Sequence, residues 1–283
     1  MHFLKIFWLF VILFRTCAPN TSEIRKGSFP QGYQLDQFHK ITLTDELEEI
    51  SGLEWVGDDQ LWAIEDESSI IYRLDPKTGK VLQKRKFAKN KDIEDLLAVG
   101  DTAYVLQSNG TIYQVISPFD SDLESKEYPF PIKEKRDLEA IVTSQTEPYL
   151  YIFCKVCKWD AGPDKASVFR FDLTTMSYDS LPFAVLDRRD IQPLFGDGFT
   201  RTLHIQPSAA AIHPIENRLY IISSKGKWLL ITDLDLTPQN AYSLDPGVFK
   251  QPEGITFDTK GNMYISNEAE DGDPNILIFG YNP

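Results

Sequence analysis

Residues 252–268 read PEGITFDTKGNMYISNE: a β-branched and apolar run, a polar turn at DTKG, then a second run led by Tyr264. That is strand, tight turn, strand. The pattern recurs upstream as ISGLEWVGDDQLWAIEDE from Ile50, IEDLLAVGDTAYVLQSNG from Ile93, LEAIVTSQTEPYLYIFCKV from Leu138 and PSAAAIHPIENRLYIISSKG from Pro207. Aligned on their second residue, the five copies begin at Ser51, Glu94, Glu139, Ser208 and Glu253, with steps of 43, 45, 69 and 45. Several strands repeating at a period near 45 are the signature of a β-propeller. The expected fold is therefore all-β, a five-bladed β-propeller.

Each copy supplies an inner strand, a polar turn, a strand led by an aromatic (Trp62, Tyr104, Tyr151, Tyr220, Tyr264) and a third strand such as IIYRLD or ILIFGY. The first four copies leave room for a fourth strand, whereas the last runs out at the C-terminus. Its missing outer strand is expected from YQLDQFHKITLT (33–44), which would close the ring by joining the two chain ends. In the 69-residue step, the third copy has its fourth strand by about Leu186. The remaining DRRDIQPLFGDGFTRTLHIQ is too short for another blade and reads as a long connection over one face. A β-sandwich would not repeat one inner-strand motif five times.

The 283 residues carry 42 acidic and 29 basic side chains, a net charge of −13, or −15 once Lys5 and Arg15 leave with a cleaved leader. Such a surface repels nucleic acid and anionic lipid, so no nucleic-acid partner is expected. The N-terminus has Lys5, an apolar run from Ile6 to Phe14, and Cys17 followed by small and polar residues. The run is short for a bilayer span and suits a signal peptide. Cys17 looks like the lipid-modified cysteine of a bacterial lipoprotein, although Arg15 and Thr16 stand where small residues usually precede it. Simple secretion and an uncleaved anchor are the alternatives. The expected organisation is a signal peptide at 1–16, the lipidated Cys17 and a tether to 29, and one propeller domain at 30–283, monomeric and facing outside the cytoplasm in the cell envelope.

Alternate residues of an innermost strand face the central channel. Gly52, Ala140 and Gly254, with Leu53, Leu96, Ile141 and Ile255, suit blade packing, so the aligned Ser/Glu position is expected at the channel mouth. That gathers Glu94, Glu139 and Glu253 around one axis with Ser51 and Ser208. The ends of the second strands add Asp66, Lys155, Ser224 and Glu268. Converging carboxylates raise one another's pKa or recruit a cation, and calcium is the hard ion that accepts many oxygens. Glu94, Glu139 and Glu253 are the candidate calcium ligands. A hydrated polar channel with no specific ligand, part-balanced by Lys155 and Lys225, is the competing reading.

The ordered series ISGL, IEDL, LEAI, PSAA and PEGI, with AIEDE after the first and YISNE after the last, resembles the SdiA-regulated family of bacterial β-propellers over about residues 33–283. The resemblance implies a five-bladed, often membrane-anchored extracytoplasmic propeller, loosely similar to calcium-dependent phytase-like and esterase-like propellers. It implies channel roles for Ser51, Asp66, Glu94, Glu139, Lys155, Ser208, Ser224, Glu253 and Glu268. The chain departs from the family at LQSNG, where an acid usually follows the second strand of blade two, at Val156, where a Glu is usual, and at Ala209 and Ala210, where a glycine is usual. A ligand- or calcium-binding module, a calcium-dependent hydrolase of phosphoesters or lactones, and a scaffold that uses its rim all remain open.

The four histidines, His2, His39, His204 and His213, fall outside the expected channel, which argues against a Ser/His/Asp triad. No Walker A loop, HExxH or nucleophile elbow is present. EAEDGDPN (268–275) reads as an acidic turn because it lacks EF-hand spacing. Cys154 and Cys157 lie three apart, about 10 Å if the strand continues. Unless a turn intervenes, they read as two small unpaired residues at a strand end.

Overall fold

The computed structural model describes residues 29–57, 60–144, 147–196, 199, 201–270 and 272–283. The expected signal peptide, Cys17 and the expected tether as far as residue 28 lie outside the described residues. Among the described residues no helix is long and apolar enough to cross a membrane.

The chain enters through β1 (Phe38–Thr42) and then lays down five antiparallel sheets. Blade 1 is β2 (Ile50–Trp55), β3 (Leu61–Glu65), β4 (Ile70–Leu74) and β5 (Val81–Lys86). Blade 2 is β6 (Ile93–Val99), β7 (Thr102–Gln107), β8 (Ile112–Ile116) and β9 (Glu124–Tyr128). In blade 3, β10 (Leu138–Thr143), β11 (Tyr149–Cys154) and β12 (Lys165–Asp172) are followed by a split outer edge, β13 (Ser177–Tyr178) and β14 (Ala184–Asp187), both paired with β12. Blade 4 is β15 (Ala209–His213), β16 (Arg218–Ser223), β17 (Trp228–Thr232) and β18 (Pro238–Ser243). Blade 5 is β19 (Pro252–Phe257), β20 (Met263–Asn267) and β21 (Asn275–Phe279), completed by β1, whose Phe38 to Thr42 pair with Phe279 to Asn275. The five repeats are five blades, and the two chain ends close the ring. Neighbouring inner strands β2, β6, β10, β15 and β19 touch all the way round.

One apolar cluster fills each wedge between blades, and each is seeded by the aromatic that leads a second strand. Trp62 packs between blades 1 and 2, Tyr104 between 2 and 3, Tyr151 between 3 and 4, Tyr220 between 4 and 5, and Tyr264 between 5 and 1. A blade cannot bury both faces alone, so burial of these rings against the next blade ties each repeat to its neighbour. Phe29, inside the segment read as tether, is buried against Phe249 and Phe279. Tyr33 then donates to the Gly261 carbonyl at 2.5 Å and meets His213 Nε2 at 2.7 Å. The long connection after β14 forms the short helix α1 (Arg188–Ile191) and fills the wedge between blades 3 and 4 with Ile191, Leu203 and Ile205. Trp228 Nε1 holds it through the His204 carbonyl at 2.9 Å.

Cys154 and Cys157 are joined in a disulfide, which corrects the reading of two unpaired cysteines. The strand ends at Cys154 and the chain turns directly into a single 3-10 turn at Lys158–Asp160, so the two Cα atoms lie 5.9 Å apart instead of at extended spacing.

Candidate functional site

A single irregularity, repeated around the ring, builds the site. In blades 1, 2, 3 and 5 the inner-strand register skips one residue, and the skipped residues are Ser51, Glu94, Glu139 and Glu253. In blade 4 the Ser208 amide donates to the Ile222 carbonyl at 2.8 Å while the next residue, Ala209, is the register partner of Ile222. A β-bulge leaves its extra residue out of the ladder and re-aims the side chain. The aligned position of every repeat is thus turned towards the channel mouth.

In blades 1, 2, 3 and 5 the tail of the second strand is then clipped to the residue two places before the bulge. The amides of Asp66, Ser108, Lys155 and Glu268 donate to the carbonyls of Glu49, Asp92, Asp137 and Gln251 at 3.3, 3.0, 2.9 and 3.0 Å. Consequently a third set of polar side chains joins the first two. A cavity of about 320 Å³ is lined by Glu49, Ser51, Asp66, Asp92, Glu94, Asp137, Glu139, Lys155, Ser208, Gln251, Glu253 and Glu268. Eight of the nine sequence-derived positions line it. Ser224 stands just behind, its amide on Ser208 Oγ at 3.1 Å and its hydroxyl on Glu253. Glu49, Asp92, Asp137 and Gln251 were missed, although each sits two residues before an aligned position, where period-two alternation sends a side chain the same way.

The members differ in what remains free to bind. Ser51 Oγ donates to the Ile93 carbonyl at 2.9 Å and Ser208 Oγ to that of Pro252 at 2.8 Å, so both serines staple one blade to the next. The Ser224 hydroxyl stands on Glu253. Lys155 Nζ contacts Glu139 in a largely buried ion pair. Glu94, Asp137 and Glu139 offer carboxylate oxygens that all lie within 4.8 Å of one another. Glu253 shares the cavity but is not one of this trio, and Asp66 Oδ1 is buried with no hydrogen-bond partner. Among the described residues no histidine lines the cavity.

Burial, reinforced by Asp92 and Asp137, pushes the Glu94 carboxyl up to about 9. Burial and the surrounding acids push Glu268 up to about 8 and Asp66 up to about 7. Glu139, Glu253 and Asp137 are raised as well, chiefly by burial. Burial alone would lower the Lys155 ammonium, but Glu139 and Glu253 outweigh it and hold it above the usual lysine range. The cavity is a concentrated negative field with one internal counter-ion. The oxygens are hard donors, and their convergence and the orphaned Asp66 oxygen fit a hard divalent cation.

Two further acids of the inner strands, Asp95 and Glu54, accept backbone amides. Asp95 Oδ1 accepts from the Leu96 amide at 2.8 Å and Oδ2 from the Ile141 amide of blade 3 at 2.9 Å. Glu54 reaches the Thr256 hydroxyl of blade 5 at 3.3 Å, and burial lifts its carboxyl to about 7. These two acids join neighbouring blades. A wider groove of about 890 Å³ runs along blade 3, but its buried acids are already engaged, Asp160 by Ser167 and Asp187 by Arg189.

A five-bladed β-propeller with an acid-rich channel mouth is the class of protein that this fold and site define. Residues 199–276, in its last two blades and the connection before them, match the family model described as SdiA-regulated, and there the resemblance carried by the inner-strand motifs is borne out. No curated protein matches the chain. Among solved structures it is similar to the glutaminyl cyclase of Myxococcus xanthus, with a TM-score of 0.58 and 9% identity over 86% of this chain and 94% of that one. A structural genomics protein of unknown function from Bacteroides thetaiotaomicron gives a TM-score of 0.52 and 14% identity over 82% of this chain and 56% of that one. The β-propeller domain of Myceliophteria thermophila Cps50 (Swd1) gives 0.46 and 9% over 82% and 83%. At such identities these are likenesses of fold alone.

Proposed function

We propose that the channel mouth binds a divalent cation, calcium foremost, and that the protein works as a cation- or ligand-binding module held at the outer side of a membrane. The observation that carries this reading is the trio Glu94, Asp137 and Glu139, three carboxylates from two neighbouring blades converging within 4.8 Å. Among the described residues every side chain lining the cavity is polar and none is aromatic, which suits a small hard ion better than an organic cation needing an aromatic or apolar cage. The ion would displace protons from the raised carboxyls and be repelled by Lys155, so selectivity rests on charge and oxygen number. A hydrolytic role would need a base and a substrate pocket beyond this trio, and no observation favours it.

The test is a thermal melt of the full chain, metal-free and then with calcium or magnesium. A site occupied at about one hundred times its Kd stabilises the native state by about 2.7 kcal/mol, or roughly 5–10 °C. Glu94→Gln combined with Glu139→Gln should remove the calcium-dependent rise. A rise that survives both substitutions would place the cation elsewhere, and no rise in the wild type would end the proposal.

The membrane tether rests on Cys17. Cys17→Ala should move the protein from the membrane fraction to the soluble one. Retention would instead indicate an uncleaved hydrophobic anchor.

A further inference from the structure

We infer that the Cys154–Cys157 disulfide is a positioning element of the channel-mouth site, so that cation binding there depends on its redox state. This rests on the cation reading above. Between the two cysteines lies Lys155, whose ammonium reaches into the cavity to Glu139. The same turn fixes the acid beside it: the amides of Lys155 and Val156 both donate to the Asp137 carbonyl, at 2.9 and 3.2 Å. One turn further, the Lys158 amide donates to the Lys135 carbonyl at 3.0 Å. The segment 135–137 therefore hangs on the turn that the disulfide closes. Asp137 is one of the three converging carboxylates, and it lies on no strand of its own.

The covalent bond holds Cα atoms at 5.9 Å where a continuing strand would place them about 10 Å apart. Both sulfurs are buried, Cys154 in the wedge between blades 2 and 3. Two electrons and two protons from a dithiol reductant would convert the pair to two thiols, the reductant leaving as its own disulfide. The turn then loses its only covalent restraint, and its hold on Asp137 rests on hydrogen bonds. Eight carboxylates still surround Lys155, so its ammonium stays in the cavity, and the change falls on Asp137. A ligand that must be ordered on binding costs affinity, and the expected loss is about tenfold.

Calcium is the right probe. Cys154, Cys157 and Asp160 also lie close enough together for a softer ion to bridge them once reduced, and calcium avoids sulfur. Calcium binding is measured by calorimetry on the oxidised full chain, on the same protein reduced with dithiothreitol, and on Cys154→Ala with Cys157→Ala. Near-ultraviolet circular dichroism checks that the fold persists, and free-thiol titration confirms the state of the pair. Binding should weaken about tenfold on reduction, recover on reoxidation, and behave likewise in the double variant.

A merely structural bond would weaken any background equally, so the series is repeated in Asp137→Asn. There reduction should change affinity by less than about twofold, because the positioned group has already been removed. Equal affinity of oxidised and reduced wild type, or a tenfold effect persisting in Asp137→Asn, overturns the inference while leaving the cation site standing. Free thiols at both positions in purified, calcium-binding protein overturn it too. Absence of calcium binding in the oxidised protein removes the cation reading and this inference together.

Discussion

Metal-free protein should become less stable as the pH rises from about 5 to 9, by about 10 °C in Tm. The sign follows from the channel carboxyls. In the unfolded chain they ionise near 4, whereas in the folded protein Asp66, Glu268 and Glu94 hold their protons to about 7, 8 and 9, and Glu54 to about 7. Folding therefore takes up protons across this window. Stability present below the unfolded pKa values is lost as the pH climbs through the folded ones. Water reaches Asp66 and Glu268, so the full value of their shifts is not realised, and the drop stays well below the sum of four independent groups. Saturating calcium should flatten the slope by taking the protons' place. Melting curves at half-unit pH intervals, with and without calcium, decide the matter; a metal-free Tm that is level or rising from pH 5 to 9 would mean that the carboxyls are not protonated in the folded state.

Lys155→Met should have the second large effect, in two opposite directions. Without the ammonium, Glu139 is left as a buried and unpaired carboxyl, and breaking such a pair typically costs about 3 kcal/mol. The metal-free variant should lose roughly 8 °C in Tm at pH 8 and less at lower pH, because burial raises the Glu139 carboxyl and favours its neutral form. Calcium should bind it at least tenfold more tightly, since a single charge a few ångströms from a divalent ion opposes binding by more than the 1.4 kcal/mol that a factor of ten requires. Lys155→Arg keeps the charge and should restore the wild-type affinity to within a few-fold. Equal calcium affinity in Lys155→Met and the wild type would show that the ion sits outside the cavity.

Much of this site was legible from spacing. The five aligned residues Ser51, Glu94, Glu139, Ser208 and Glu253 reach the mouth because they hold one place in a repeat, four of them on the same bulge, and a repeat is visible in sequence. Asp66, Lys155 and Glu268 followed from counting along the second strands. Asp92 and Asp137 were less visible, because each precedes its strand and reads as loop; only the clip from the next strand's tail makes it part of the wall. The division of labour was hidden altogether. Ser51 and Glu94 occupy equivalent positions, yet one staples blades together and the other faces the cavity with a raised pKa.

Legible from the sequence alone were the all-β class, the number of blades, the aromatic of each second strand and the closing of the ring by a strand within residues 33–44, which is Phe38–Thr42 in the fold. These are local and periodic properties: alternation makes a strand, repetition makes a ring, and two incomplete ends must pair. Tertiary structure alone decided which carboxylates converge, where Lys155 spends its charge, and that Cys154 and Cys157 are bonded. Convergence is a distance between blades, and a disulfide is set by the direction in which the chain turns after a strand. Neither quantity is a property of neighbouring residues.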